Sequence, residues 1–375
     1  MNCNSYIIWG TGWEAERFYY QYHNKIDVLY FVDNFAYNRK FYGLEVKKPD
    51  LHILQKGKVL ITTLQYFDEI KKQLAEMGFI EYKDFDYCYN VDKKIVFLNG
   101  NCHFDILKAY LSTSKKFSEE FVFGNWPLIF KNEKYDERIL PYCDLFIHQD
   151  IRNNNSIEYK YSDEYILPKL RNDCIRCCIP NLYGFPKALY YTNRKENKRK
   201  HNNGPLGNAF IYCEEIIDRC VEHKESLNDI LKSLMSEFVD ERDICIQWED
   251  DRKSLLEREK SWDIKISDYI FENFQVEQLF YDIGHPTNFL FKEIATRILY
   301  YLKIDDNVME VSGGLNCYEV PVYPCIKKAL KLEWDVSSLR KKMKGIQRFV
   351  LDDKEMNLTE YIREYVWWNY GIDII

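Results

Sequence analysis

The chain has 375 residues, of which 46% are hydrophobic and 30% charged, and a formal net charge of −7. That length exceeds one ordinary core and implies more than one domain, the composition excludes a disordered chain, and the acidic balance argues against nucleic acid as a partner. No run approaches the roughly 18–20 apolar residues that span a bilayer. Met1 to Ser5 leads into a strand without the basic and apolar segments of a signal peptide. A cytoplasmic protein with its 12 cysteines reduced is expected.

Tyr6-Ile7-Ile8-Trp9 reads as a buried strand, Gly10-Thr11-Gly12 as a tight turn and Trp13 to Tyr22 as a helix. Val28 to Val32 is a second strand ending at Asp33-Asn34, Val59 to Thr63 a third, and Phe67 to Met77 a helix stopped by Gly78. Strands alternating with helices predict a parallel sheet with right-handed crossovers. Gly10-x-Gly12-x-x-Ala15 follows a strand and opens a helix, where glycines admit a phosphate to free N–H groups, and Asp33 stands where it could accept from a ribose hydroxyl. Nucleotide or nucleotide-sugar binding through Gly10, Gly12 and Asp33 is one reading; a purely structural unit and nicotinamide redox chemistry are the others.

A second β-start, Lys94 to Leu98, runs into Asn99-Gly100-Asn101-Cys102 and a helix from His103 to Leu111. A cysteine at a strand-to-helix turn gains from the helix dipole, and nearby backbone N–H groups could form an oxyanion hole. The strand Asp144 to Ile147 ends at His148-Gln149-Asp150. Gln149 is a candidate oxyanion or donor contact together with Asn101, whereas His148 points to the opposite face and reads as structural. The interval 153–203 reads as loop-rich. It contains Cys174-x-x-Cys177-Cys178, which lacks a second ligand pair, so no metal is expected. It also contains a basic island in which Arg194, Lys195, Lys198 and Arg199 would suit the phosphates of coenzyme A, or would simply be a solvated loop.

Residues 208–273 look mostly helical. Asp282-Ile283-Gly284-His285-Pro286 precedes an amphipathic helix from about Thr287, and in Asp-x-x-His the carboxylate can orient and charge-stabilise the imidazole. Cys102, His285 and Asp282 together are what covalent acyl transfer needs: nucleophile, base and orienting carboxylate. Residues 335–375 read as a helical tail packed on the body or on a second copy, the route to a homo-oligomer. The expected layout is an α/β fold with a small Rossmann-like domain over 1–92, a larger helix-rich domain over 93–334 and the tail over 335–375.

Residues 6–89, with Trp9-Gly10-Thr11-Gly12, Phe31-Val32-Asp33-Asn34 and Gly43-Leu44-Glu45-Val46, resemble the small Rossmann-like domain attached to sugar-modifying transferases. In some sugar-nucleotide acetyltransferases such a domain holds the nucleotide-sugar acceptor. Cys102 with Asp282-x-x-His285 resembles the SGNH hydrolase plan, with cysteine at the serine's place. The stretch from about Lys94 to Leu332 resembles the WcbI-type acetyltransferases of capsular polysaccharide biosynthesis. It does so through Asn99-Gly100-Asn101-Cys102, Phe146-Ile147-His148-Gln149-Asp150, the Asp282 to Pro286 motif and Val320-Pro321-Val322-Tyr323-Pro324. That resemblance implies coenzyme A, or acetyl-CoA, as donor and a sugar or nucleotide-sugar as acceptor. One position departs: His103 follows the cysteine where glutamine is expected. The function expected is acetyl transfer to a sugar hydroxyl; the alternatives are an SGNH-like carbohydrate esterase and a non-catalytic module that binds nucleotide-sugar or coenzyme A.

Overall fold

A computed structural model describes residues 5–124, 135, 137–152, 158–190, 192–193, 213–235, 241–315, 321–334, 339–340 and 355–374. The chain divides into two compact units, Met1–Gly100 with Lys116–Arg176, and Asn101–Lys115 with Cys177–Ile375. It is mixed α/β, with parallel sheets and many helices.

In the first unit β1 (Ser5–Trp9), α1 (Trp13–Tyr22), β2 (Asp27–Val32), β3 (Arg39–Phe41), β4 (Leu44–Lys47), α2 (Leu51–Leu54), β5 (Lys58–Ile61), α3 (Phe67–Glu76) and β6 (Phe85–Tyr87) follow in order. The six strands form one sheet, β3-β4-β2-β1-β5-β6, in which β3 alone pairs antiparallel. Period-two alternation sends successive residues to opposite faces. Ile7, Trp9, Val32 and Ile61 pack with Ile70 and Leu74 of α3, while Ile8, Phe31 and Leu60 pack with Ala15 and Phe18 of α1. A sheet covered on both faces has strands that read as continuous apolar runs, which is why β1, β2 and β5 are conspicuous in the sequence. The hairpin β3–β4 is not, because Arg39, Lys40 and Glu45 give its strands the composition of a loop.

A second sheet follows, within the same unit except for Cys177–Ile179 at the end of its last strand. Its strands are β7 (Lys94–Asn99), β8 (Phe121–Phe123), β9 (Leu145–Gln149) and β10 (Ile175–Ile179), in the order β10-β9-β7-β8, with β7 parallel to β8 and β9. Between them lie α4 (His103–Thr113), α5 (Lys115–Glu120) and α6 (Asp163–Ile166). Phe97 and Phe146 pack with Ile139, Leu140 and Ile166. β10 corrects the loop-rich expectation: Cys177 and Cys178 are buried in a strand, where thiols behave as small hydrophobes. Five residues ending before Pro180 are too few to display a period beside Arg176.

The second unit takes α4 from the middle of the first. After the short pair β11 (Thr192–Asn193) and β12 (Cys213–Glu214) come α7 (Glu215–Glu222), α8 (Leu227–Met235), α9 (Glu241–Arg258) and α10 (Ser267–Asn273). The hairpin β13 (Phe280–Asp282) and β14 (His285–Pro286), then α11 (Asn288–Tyr301), α12 (Pro324–Leu330), the pair β15 (Leu339–Arg340) and β16 (Glu355–Met356), and α13 (Leu358–Tyr370) complete it. α4 packs on α11, burying Phe104, Leu107 and Leu111 on one side and Phe291, Ile294 and Ile298 on the other. Ser114 donates to Asp306 at 2.7 Å and the Met309 N–H to Thr113 Oγ1 at 2.8 Å, which tie down the far end of α4.

α13 packs against α7 and α8 of its own chain. A buried polar knot holds it there: Glu214 accepts from Tyr361 Oη at 2.5 Å and Tyr323 Oη at 2.7 Å, and its N–H donates to Tyr365 Oη at 2.9 Å. Burial raises the Glu214 carboxyl to about 7, against the opposing pull of the two tyrosine hydroxyls. The folded chain therefore keeps this proton up to pH about 7, while the unfolded chain releases it near 4.5. The stability the site contributes is full below the lower value and lost as pH rises through the upper one, a span worth about 3 kcal/mol. Denaturant titrations at pH 5 and pH 8 should accordingly show a fall in stability for the wild type that is smaller in Glu214→Gln.

Candidate active site

The candidate site lies in the second unit, at the N-terminus of α4. Asn101 Oδ1 accepts from the His103 N–H at 3.0 Å, and the Asn101 and Cys102 carbonyls accept from Phe104 and Asp105 N–H at 3.2 and 3.3 Å. These bonds turn the chain sharply into the helix and leave Cys102 half-buried at the N-cap. The side-chain oxygen of Asn101, a predicted oxyanion residue, is thus engaged in shaping the turn.

Asp282 and His285 face each other across the β13–β14 hairpin. The turn is tight: the Gly284 N–H donates to the Asp282 carbonyl at 2.8 Å, and Gly284 sits at φ +119°. A Cβ there would also lie 3.1 Å from Tyr183 Cα, so both conformation and space select glycine. The hairpin is anchored at its base, where Tyr190 Oη donates to the Phe280 carbonyl at 2.7 Å and Thr287 Oγ1 to the Gln278 carbonyl at 2.9 Å.

Asp282 is fully buried and spends both oxygens on one residue: Oδ1 accepts the His285 N–H at 3.1 Å, and Oδ2 accepts from Nδ1 at 2.7 Å. The other ring nitrogen, Nε2, lies 3.6 Å from Cys102 Sγ. Burial pulls the His285 imidazole down, but the Asp282 carboxylate and the Cys102 sulfur outweigh it and raise the ring to about 10. At neutral pH His285 is therefore a cation held between a carboxylate and a sulfur.

His103 is the functional residue that sequence reasoning left without a role. It is buried, and its Nε2 donates to the Gly284 carbonyl at 2.7 Å, which binds the first residue of α4 to the turn that carries His285. Burial, then repulsion from His285, drives His103 down to about 3, so the ring stays neutral with its proton directed at that carbonyl. Its edge rests on Phe291 with ring centroids 5.6 Å apart. The signals were present: a histidine where glutamine was expected, and a glycine inside Asp-x-x-His.

Gln149, buried at the end of β9, belongs to the first unit, as does His148, whose Nδ1 is 3.0 Å from the Asp163 carboxylate. Gly10, Gly12 and Asp33 come together in the first unit around a cavity of about 480 Å³. Asp33 is already well engaged: Oδ1 accepts from Phe35 and Ala36 N–H at 2.9 Å each, and Oδ2 from Thr11 Oγ1 at 2.7 Å. Arg194, Lys195, Lys198 and Arg199 fall outside the described residues. Among the described residues no three His, Cys, Asp or Glu side chains group as metal ligands would, and no helix is long and apolar enough to cross a membrane.

Residues 95–307, which span the cysteine, the aspartate and the histidine, match the family described as the polysaccharide biosynthesis enzyme WcbI. The chain belongs to the WcbI family. Residues 2–85 match a second family, described as C2185-like, N-terminal. A solved structure of WcbI resembles this one in fold, with a TM-score of 0.59 at 18% identity over 75% of this chain and 91% of that one. That structure is described as a novel polysaccharide biosynthesis enzyme, native and without a disulfide bond between coenzyme A and one of its cysteines. A comparison with curated proteins finds no match.

Two outcomes follow for this WcbI-family site. In Asp282→Asn the charge that holds the His285 proton is gone, so imidazole NMR titration should move that ring from about 10 down toward ordinary histidine values. Gly284→Ala should cost about 1–3 kcal/mol in denaturant melts and weaken the His103 bond to the same residue.

Proposed function

We propose that the protein transfers an acyl group, acetyl in the simplest case, from a coenzyme A thioester to a sugar hydroxyl in polysaccharide biosynthesis, with Cys102 as the covalent nucleophile. The observation that carries this reading is the line of contacts from sulfur to imidazole to buried carboxylate, 3.6 Å and then 2.7 Å. Membership in a family of polysaccharide biosynthesis enzymes supports the sugar side. The coenzyme A and cysteine named for the WcbI structure support the donor side. On this reading the second unit follows the SGNH-like plan with sulfur in place of oxygen, and the Rossmann-like first unit is an accessory.

The reaction begins from a Cys102 thiolate beside protonated His285, since the thiolate is the reactive form of cysteine. Sulfur attacks the thioester carbonyl, and the resulting oxyanion sits at the N-terminus of α4. There the amides of His103, Phe104 and Asp105 are occupied, so the Cys102 N–H is the donor the turn can aim at it. Collapse expels the coenzyme A thiolate, which takes the Nε2 proton of His285 and departs as the thiol. Acylation also removes the sulfur's charge, one of the causes that raise His285. The ring is then neutral and competent as a base. It takes the proton of the sugar hydroxyl as that oxygen attacks the acyl-Cys102 carbonyl; collapse releases the ester and restores thiolate and imidazolium. Asp282 keeps Nδ1 protonated and the ring in register throughout.

A sulfur nucleophile suits a transferase. Exchange of one thioester for another is nearly balanced in free energy, so the acyl group remains activated until the acceptor arrives. Incubation with acetyl-CoA should release free coenzyme A thiol and leave an acetyl adduct on the Cys102 peptide, detectable by mass spectrometry. Cys102→Ala should lose both signals, and His285→Ala should lower thiol release by at least about 10²-fold. Adduct formation at a different residue, or undiminished release in Cys102→Ala, contradicts the mechanism.

A further inference from the structure

We propose that the cavity of the first unit binds an uncharged carbohydrate rather than a nucleotide. The cavity, about 480 Å³, opens between the β1–α1 turn, the tip of β2 and the start of α3. Its floor is closed to side chains at Gly10, whose φ is +119° and where a Cβ would lie 2.7 Å from Thr62 Oγ1. The position matches a phosphate-binding turn, but the chemistry of the lining does not. Among the described residues that line it there is no Lys, Arg or His, while Glu14, Asp33 and Glu69 are carboxylates.

Glu14 and Glu69 lie in the first turns of α1 and α3, so each helix end that could attract an anion already carries its own. Arg39 is the nearby cation with a defined job: its Nη2 donates to Thr11 Oγ1 at 2.8 Å and its Nε to the Ala36 carbonyl at 3.0 Å, which fixes the loop around Asp33. A pyrophosphate entering here would meet the Glu14, Asp33 and Glu69 carboxylates, and the Arg39 guanidinium beside Thr11 is already bonded to the loop.

The same lining suits sugar. Three aromatic rings border the cavity in open solvent, Trp13 at 67%, Phe35 at 90% and Tyr66 at 46% exposure. Large rings left in water on a cavity rim are costly unless something covers them, and the C–H face of a pyranose stacks on such rings. Carboxylates are acceptors only, with about four lone-pair sites each; Glu69, and the sites left on Glu14 and Asp33 beyond the Leu64, Phe35 and Ala36 N–H groups and Thr11 Oγ1, match the hydroxyl donors of a sugar. Rings for the faces and carboxylates for the hydroxyls describe a neutral saccharide, such as a segment of glycan held while chemistry proceeds elsewhere. The proposal goes beyond the acyl-transfer reading and uses residues of the first unit alone.

The test uses the full chain carrying Cys102→Ser, so that no acyl-Cys102 thioester can form and binding is read apart from thioester chemistry. A glycan array of neutral oligosaccharides identifies a retained saccharide, and titration calorimetry measures it, with UDP and ADP as charged competitors. A neutral saccharide should be retained, its affinity should fall about tenfold in Trp13→Ala and in Phe35→Ala, and neither nucleotide should displace it. Both rings are exposed, and circular dichroism checks that the variants keep their fold. Retention of no saccharide, unchanged retention in both variants, or displacement by UDP or ADP overturns the proposal. Loss of thiol release from acetyl-CoA, measured separately in the wild type, bears on Cys102 alone.

Discussion

The hydrogen bond from His103 Nε2 to the Gly284 carbonyl ties together two stretches of chain 181 residues apart. One is the first residue of α4, directly after Cys102; the other is the turn residue directly before His285. A buried donor left without that carbonyl would cost about 1–3 kcal/mol, so the bond fixes the approach of the two segments. The 3.6 Å between sulfur and imidazole is set by this clamp and by the packing of α4 on α11 behind it. The departure from glutamine at His103 becomes intelligible on the same ground. A glutamine amide also offers a neutral N–H, and either side chain can donate to a backbone carbonyl without adding charge.

Charge is partitioned sharply over a short distance. Two imidazoles with centroids 6.3 Å apart are pushed in opposite directions. His103 is neutral because burial and its neighbour forbid a second proton. His285 is charged because a carboxylate with no solvent exposure grips one nitrogen. The pairing of a structural histidine with the proposed base lets the clamp hold at any pH where His285 changes state.

Much of this could be read from the sequence because the decisive residues are local. Asp282, Gly284 and His285 fall within one turn, and Cys102 follows a strand whose apolar run is unmistakable. Strands β1, β2 and β5 of the first sheet were legible for the same reason, since Ile7, Ile8, Phe31 and Leu60 are buried on both faces. What stayed hidden depends on partners far along the chain. Nothing near Glu214 announces that Tyr323 and Tyr361 will close over it, and Cys177-Cys178 beside Arg176 carries no period that marks a strand. The lining of the first cavity was equally hidden: the glycine pattern suggests phosphate, and only the assembled surface brings Glu14, Asp33 and Glu69 together.

The hairpin that holds Asp282 and His285 has a consequence for how the site forms. The histidine–aspartate pair closes over three residues, so its loop entropy is small and it can assemble as soon as the turn does. The contact with Cys102 closes 183 residues and waits for the two parts of the second unit to meet. The imidazole–carboxylate pair thus depends on a single local turn, whereas the sulfur depends on a long-range contact. Local unfolding of the α4 segment would therefore separate the proposed nucleophile, Cys102, from the histidine–aspartate pair while leaving that pair's own turn in place.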